Sequence, residues 1–197
     1  MRGHFVIVNL LMIKDTFGRH EQAVKDTLSV AAGPIEKAAE LLAATAKAGK
    51  TVLVCGNGGS AADAQHFAAE WVCRYKDDRP PLSAIALAVD TSVITAIGND
   101  YGFEHIFSRQ IEALGKKGDV LLAITTSGTS KNILAAIKAA KERGLKIIVL
   151  TGRNTEQVKA VADIVVAIPS KETARIQEMH ELIIHIWCEF VDIVISS

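Results

Sequence analysis

Five short apolar runs punctuate the chain, at 51–55, 84–89, 119–124, 146–150 and 164–168, each bounded by glycine, proline or polar turn residues. They are rich in Val, Ile and Leu and show little in/out alternation, which is how strands covered on both faces of a parallel sheet read. The stretches between them have helical spacing instead. Phe17, Val24 and Leu28 mark a helix over 16–32. Pro34 opens a second over 35–48, whose Ala38, Ala39, Ala43, Ala44 and Ala46 permit close packing. Asp90 caps a short helix at 93–97, and 98–102 (GNDYG) reads as a loop. Phe103, Ile106, Phe107, Ile111 and Leu114 form a stripe closed by Gly115. Ile133, Leu134, Ile137 and Ala140 line a helix running to Gly144, and Thr155 caps a short one. The last helix, 172–195, has an apolar surface wide enough to be buried on most sides, in the core or against another subunit. The alternation predicts an α/β fold: a three-layer α/β/α sandwich with a five-stranded parallel sheet, plus N-terminal helices. Residues 16–197 make one domain, and 1–15 form an N-terminal extension.

Composition narrows the function. Lys+Arg and Asp+Glu both number 22, for a net charge of zero, so neither nucleic acid nor a membrane surface is an expected partner. No apolar run approaches the roughly 20 residues of a membrane span. Residues 5–13 faintly imitate a signal peptide after Arg2, but no small-residue cleavage site follows, and a cytoplasmic location is expected. Cys55, Cys73 and Cys188 fit no CxxC pattern and read as reduced, buried thiols.

Candidate chemistry sits at two turns. Gly56-Asn57-Gly58-Gly59 follows the first strand, with Ser60 as the expected N-cap of the next helix. Thr125 to Ser130 follows the third strand with five hydroxyls and a glycine. Both lie at the carboxyl edge of the sheet, where ligands bind in open α/β folds, and free amides with hydroxyls at a helix start suit a phosphate or a sugar oxygen. Either turn alone reads equally well as an ordinary strand-to-helix connection. Neither has the register of a dinucleotide fingerprint or the lysine of a P-loop. His66 and Glu70, four apart, share a helical face, as do Gln177 and His185, eight apart on the last helix. Two imidazoles and a carboxylate suit zinc. Spacing gives no reason for these helices to meet, and a His-x-x-x-Glu pair is common on helix surfaces. His180 reads as structural or solvent-facing, and Glu178 and Glu181 as part of the polar side.

The segments GNGGSAADAQHFAAE, AIGNDYGFEHIFSRQ, TTSGTSKN and RIQEMHELIIH, in that order, closely resemble the SIS (sugar isomerase) domain of the bacterial phosphoheptose isomerases. The resemblance runs from about residue 20 to the end. It implies cytosolic homotetramers, with active sites near subunit interfaces, that convert sedoheptulose 7-phosphate to D-glycero-D-manno-heptose 7-phosphate for cell-envelope polysaccharide. It implies one Zn2+ per subunit on His66, Glu70, Gln177 and His185, with Glu70 as base and His185 as acid. Substrate contacts are implied at Asn57, Gly58, Gly59, Glu70, Asn99, Asp100, Thr125, Thr126, Ser127, Ser130 and Gln177. Thr125 stands where a serine is common in the family, which preserves the hydroxyl. The same family contains a binding protein for the replication initiator DnaA that needs no isomerase chemistry. Glu70 and His185 together favour the enzyme over that alternative. A sugar-phosphate-binding regulatory domain would carry a DNA-binding segment, and no basic arm or helix-turn-helix is evident.

Overall fold

In the computed structural model, residues 10–196 are described. The expected extension over 1–15 therefore falls largely outside the described residues, while 10–15 belong to the first helix. The elements in order are α1 (Leu10–Lys47), β1 (Val52–Cys55), α2 (Gly59–Val72), β2 (Ala84–Ala86), α3 (Thr91–Asp100), a single 3-10 turn (Phe103–His105), α4 (Ser108–Leu114), β3 (Val120–Thr125), α5 (Lys131–Arg143), β4 (Lys146–Thr151), α6 (Glu156–Lys159), β5 (Ile164–Ala167) and α7 (Thr173–Ser196).

The strands form one five-stranded sheet in the order β2-β1-β3-β4-β5, every pairing parallel. Alternate residues of each strand feed opposite cores. Val52, Val54, Leu122 and Ile148 face the layer of α1, α2 and α7, where Phe67, Trp71 and Trp187 are buried. Leu53, Cys55, Leu121 and Val149 face α4, α5 and α6, against Ile111, Ile133 and Val158. That is the expected three-layer sandwich. The chain leaves β1 in one direction for β2 and later fills the other side with β3, so the loops after β1 and β3 flank a topological switch point.

Three local expectations change. Pro34 does not divide two helices: it lies inside the 38-residue α1. An internal proline forfeits a hydrogen bond and crowds the preceding turn, at about 3 kcal/mol. A continuous small-residue face offsets this, with Ala31, Ala38, Ala39, Leu42 and Ala43 buried. Trp187 Nε1 also donates to the Ile35 carbonyl at 3.0 Å, tying α7 to α1 beside the proline. Gly98, Asn99 and Asp100 are not in a loop but in the last turns of α3, whose N-cap Asp90 accepts from the Val93 amide as anticipated. The stripe before Gly115 is broken into the 3-10 turn and α4.

All three cysteines are free thiols; Cys55 and Cys188 are buried as expected, but Cys73, just past the end of α2, is exposed. Burial pushes the Cys188 thiol up to about 12. No helix among the described residues is long and apolar enough to cross a membrane.

Candidate functional site

The site begins where β1 ends. Gly58, at φ 56°, is the N-cap of α2, so the helix starts at Gly59 and Ser60 lies buried within the first turn rather than capping it. The positive φ suits glycine at no steric cost. Gly59 is needed for another reason. A Cβ there would come within 2.2 Å of Gln177 Nε2, so the first turn of α2 packs directly on the amide of α7. Two turns further along both helices the contact recurs between polar side chains.

There His66 and His185 meet edge to face, ring centroids 5.1 Å apart. His66 Nε2 lies 3.1 Å from Glu70 Oε1, and its Nδ1 contacts Glu181 Oε1 closely. Glu181 Oε1 also lies 3.4 Å from His185 Nε2. Tyr75 also stacks on His185, ring centroids 5.2 Å apart. The helices that spacing alone gave no reason to join are thus packed side by side, and His66, Glu70 and His185 converge on one partly exposed cluster. His66, Glu181 and His185 each offer one ligand atom, all within 4.8 Å of one another.

Glu181 is the residue that the helical pattern misplaced. It does not belong to a solvated polar face but bridges the two imidazoles, whereas Glu178 pairs with Arg175 and His20. The i, i+4 spacing of Glu181 and His185 was visible; that α2 would supply His66 opposite them was not. Asp63, one turn before His66, is a second residue without a sequence signal. One of its carboxylate oxygens is buried without a partner. Burial, with the negative charge of Glu181, pushes its carboxyl up to about 6 against the opposing effect of His66. His180 is fully buried on the opposite side of α7 from solvent, which leaves only its structural reading.

A strap holds the edge of the cluster. Asp192 accepts from the backbone amides of Tyr75, Lys76 and Asp77 at 3.2, 2.8 and 3.3 Å and from Arg79 Nε at 2.5 Å. Arg79 in turn donates to the carbonyls of Glu70 and Trp71. The segment carrying Tyr75 is therefore pinned to both α2 and α7.

At the switch point, Asn57 and Asn132 exchange amide hydrogen bonds of 2.9 and 2.8 Å, joining the loop after β1 to the first turn of α5. The second turn is internally braced: Thr125 Oγ1 accepts from the Gly128 amide, and Ser127 Oγ lies 3.4 Å from Ser130 Oγ. Gly128, at φ +70°, leaves no room for a Cβ beside the Asn154 carbonyl. Thr125 itself is buried at the end of β3, while Thr126 and Ser127 line a polar cavity. Asn99 and Asp100 are exposed at the end of α3 and hydrogen-bonded to each other at 2.7 Å.

The SIS domain family matches this chain over residues 17–152. A phosphoheptose isomerase from Campylobacter concisus is 51% identical over 181 residues, covering 92% of this chain and 95% of that protein. Among solved structures, a phosphoheptose isomerase from Francisella tularensis superposes with a TM-score of 0.90 at 41% identity, covering 94% of this chain and 99% of the other. One from Neisseria gonorrhoeae gives 0.86 at 45%, covering 91% and 96%. With matching relatives this similar along nearly their whole length, the chain belongs to the phosphoheptose isomerases of the SIS-domain family.

Proposed function

We infer that this protein is a ketose–aldose isomerase that converts sedoheptulose 7-phosphate to D-glycero-D-manno-heptose 7-phosphate in the cytoplasm, supplying heptose for cell-envelope polysaccharide. The observation that carries the reading is the convergence of His66, Glu70, Glu181 and His185 where α2 packs on α7. Such an isomerisation moves a proton between neighbouring carbons through an enediol, so it needs one base that serves both carbons and an acid near the oxygens.

Glu70 is assigned the base. It is partly exposed and hydrogen-bonded to His66, which orients the carboxylate without burying it. His185 is assigned the acid, its ring in contact with both Tyr75 and His66. The turns at Asn57, Gly58 and Gly59 and at Thr125, Thr126, Ser127 and Ser130 are assigned to the sugar phosphate, with Gln177 across from Gly59. Asn99 and Asp100 join this set on resemblance alone.

The donor set fits a zinc ion, since two imidazoles and a carboxylate within 4.8 Å match its usual nitrogen and oxygen ligands. His66 and His185 would hold the ion with Glu181 as the carboxylate and Glu70 beside it, while Gln177, packed against Gly59, is a ligand on resemblance alone. When bound, zinc supplies Lewis-acid polarisation of a carbonyl oxygen. A carboxylate on a metal is a poorer base, and the second carboxylate removes that conflict: Glu181 serves the ion while Glu70 stays free to accept a proton.

The assembly is assigned as a homotetramer. Leu182, Ile186, Phe190 and Ile193 on α7, with Phe17, Leu28 and Val30 on α1, leave apolar surface uncovered, which supports burial against further copies.

Purified protein is to be incubated with sedoheptulose 7-phosphate, with and without a chelator, and aldose formation followed. Turnover in the metal-replete sample and its loss on chelation are expected, and absence of turnover there overturns the assignment. Glu70→Gln should lower kcat by about 10²–10⁴-fold with the fold unchanged.

A further inference from the structure

The turns assigned to the substrate offer a phosphate only neutral donors, although a phosphate monoester carries close to two negative charges at neutral pH. The missing charge lies next to them. Thr126 and Ser127 form one wall of a cavity of about 310 Å³ whose other walls include Arg153, Asn154, Ser170 and Lys171. These residues come from the loops after β3, β4 and β5, all at the carboxyl edge of the sheet.

The cavity is built rather than incidental. Asn154 Nδ2 donates to the Ser127 carbonyl at 3.3 Å, and Gly128 lies so close to the Asn154 carbonyl that a Cβ would approach it to 2.2 Å. The loop carrying Arg153 is thereby fixed to the loop carrying the hydroxyls. No acidic residue is among the described residues lining the cavity, and among the described residues neither Arg153 nor Lys171 is in an ion pair. A second cavity, at α1 and α7, makes the contrast: its Arg19 and Arg175 are accompanied by Asp26 and Glu172. Arg19 is paired with Glu172 there, and Arg175 with Glu178.

Position fits as well. Ile176 lines the cavity one residue before Gln177, and Thr173 lies eight residues before Glu181, about 12 Å along α7 at 1.5 Å per residue. An extended heptose phosphate can bridge that interval, with its carbonyl end at the histidine cluster and its phosphate at the cations.

We propose that Arg153 and Lys171 hold the phosphate dianion of the substrate over Thr126 and Ser127. The guanidinium presents paired donors and the ammonium a compact charge, the combination that discriminates a phosphorylated sugar from a neutral one. The proposal rests on the isomerase reading for the identity of its ligand, and the tests separate the two. The probes are sedoheptulose 7-phosphate and inorganic phosphate, applied to the full-length protein and an Arg153→Gln/Lys171→Gln variant. Both substituted side chains are exposed, and thermal unfolding without ligand verifies that the variant is folded.

Loss of hydrogen bonds to a charged group should raise KM about tenfold or more, and more than it lowers kcat. The thermal stabilisation that inorganic phosphate gives the parent protein should be lost in the variant. Unchanged KM together with unchanged stabilisation overturns the proposal. Unchanged KM with lost stabilisation also overturns the substrate assignment and gives the cavity to free phosphate. If the parent protein shows no turnover, the isomerase reading fails, while the inorganic phosphate titration still decides whether these cations bind the anion.

Discussion

Two carboxylates on α7, Asp192 and Glu181, stand eleven residues apart, which at about 100° per residue puts them on nearly the same stripe. Their surroundings are opposite. Asp192 has a side chain 1% exposed, and its oxygens are saturated by backbone amides and the equally buried Arg79. Glu181 is 31% exposed, and its partners are imidazoles that carry charge only when protonated. One helix thus holds an acid whose bonding is complete and another with capacity to spare. The first fixes the scaffold, and the second is available to an ion or substrate.

The largest expected difference follows from removing each acid. Asp192→Ala leaves Arg79 buried without its counter-ion and should cost about 3–5 kcal/mol, measured by denaturant unfolding. It should also free the Tyr75 segment from α7. A loss below about 1 kcal/mol would show that the strap is held by other contacts.

Acid titration sharpens the contrast through His180, the fully buried imidazole immediately before Glu181 in sequence, which has the Thr151 backbone as its polar neighbour. Burial lowers its pKa from 6.5 to about 4, so the unfolded chain binds the proton more readily than the folded one between those values. The contribution of His180 alone should therefore fall as pH drops from about 6.5 to 4, by about 3 kcal/mol for a displacement of this size. Asp192 behaves differently. Burial disfavours its ionised form, but the Lys76 amide and Arg79 outweigh that and hold its pKa below the usual 3.8. Its contribution is present above 3.8 and is lost only as pH falls through the lower folded value. Asp63, raised from 3.8 to about 6, acts in the opposite direction over nearly the same range, so the check is made by difference: a pH dependence between 6.5 and 4 that His180→Gln leaves unchanged would contradict the burial of His180.

The smallest effect on the fold is expected at Glu181. Glu181→Gln should change unfolding free energy by no more than about 1 kcal/mol, as for other partly exposed pairs. Because Glu181 is assigned as a ligand of the ion, the substitution should weaken zinc binding by at least the roughly 10–100-fold that losing a ligand's own hydrogen-bond partner costs, read by calorimetric titration. If Glu70→Gln weakens zinc while Glu181→Gln does not, the two carboxylates exchange the roles assigned above.

The sheet was legible because buried parallel strands carry their signal within each segment: 120–124 and 147–150 are apolar throughout whatever lies beside them. Helix boundaries depended on more than local sequence. Pro34 looked like a start signal, and only the packing of the alanine face explains why α1 passes through it. Gly98 likewise looked like a breaker, yet it is absorbed into α3. At the site, periodicity placed His66 with Glu70 and Gln177 with His185 but could not choose between neighbouring faces of α7. Glu181 lies four residues from both Gln177 and His185, and its role depends on α2 being packed there. Arg153 and Lys171 were still less visible, since their proximity to Ser127 arises from adjacent strand ends far apart in sequence.

The reciprocal amides of Asn57 and Asn132 have a consequence for how the pocket responds to its occupant. Each side chain spends one donor and one acceptor on the other, leaving one N–H and one lone pair on each for a third party. The clasp crosses the place where the chain's winding reverses, so the two rims it joins would shift together rather than hinge apart. A molecule gripping either rim would then find the opposite one already in register, and little ordering entropy would be spent on closure.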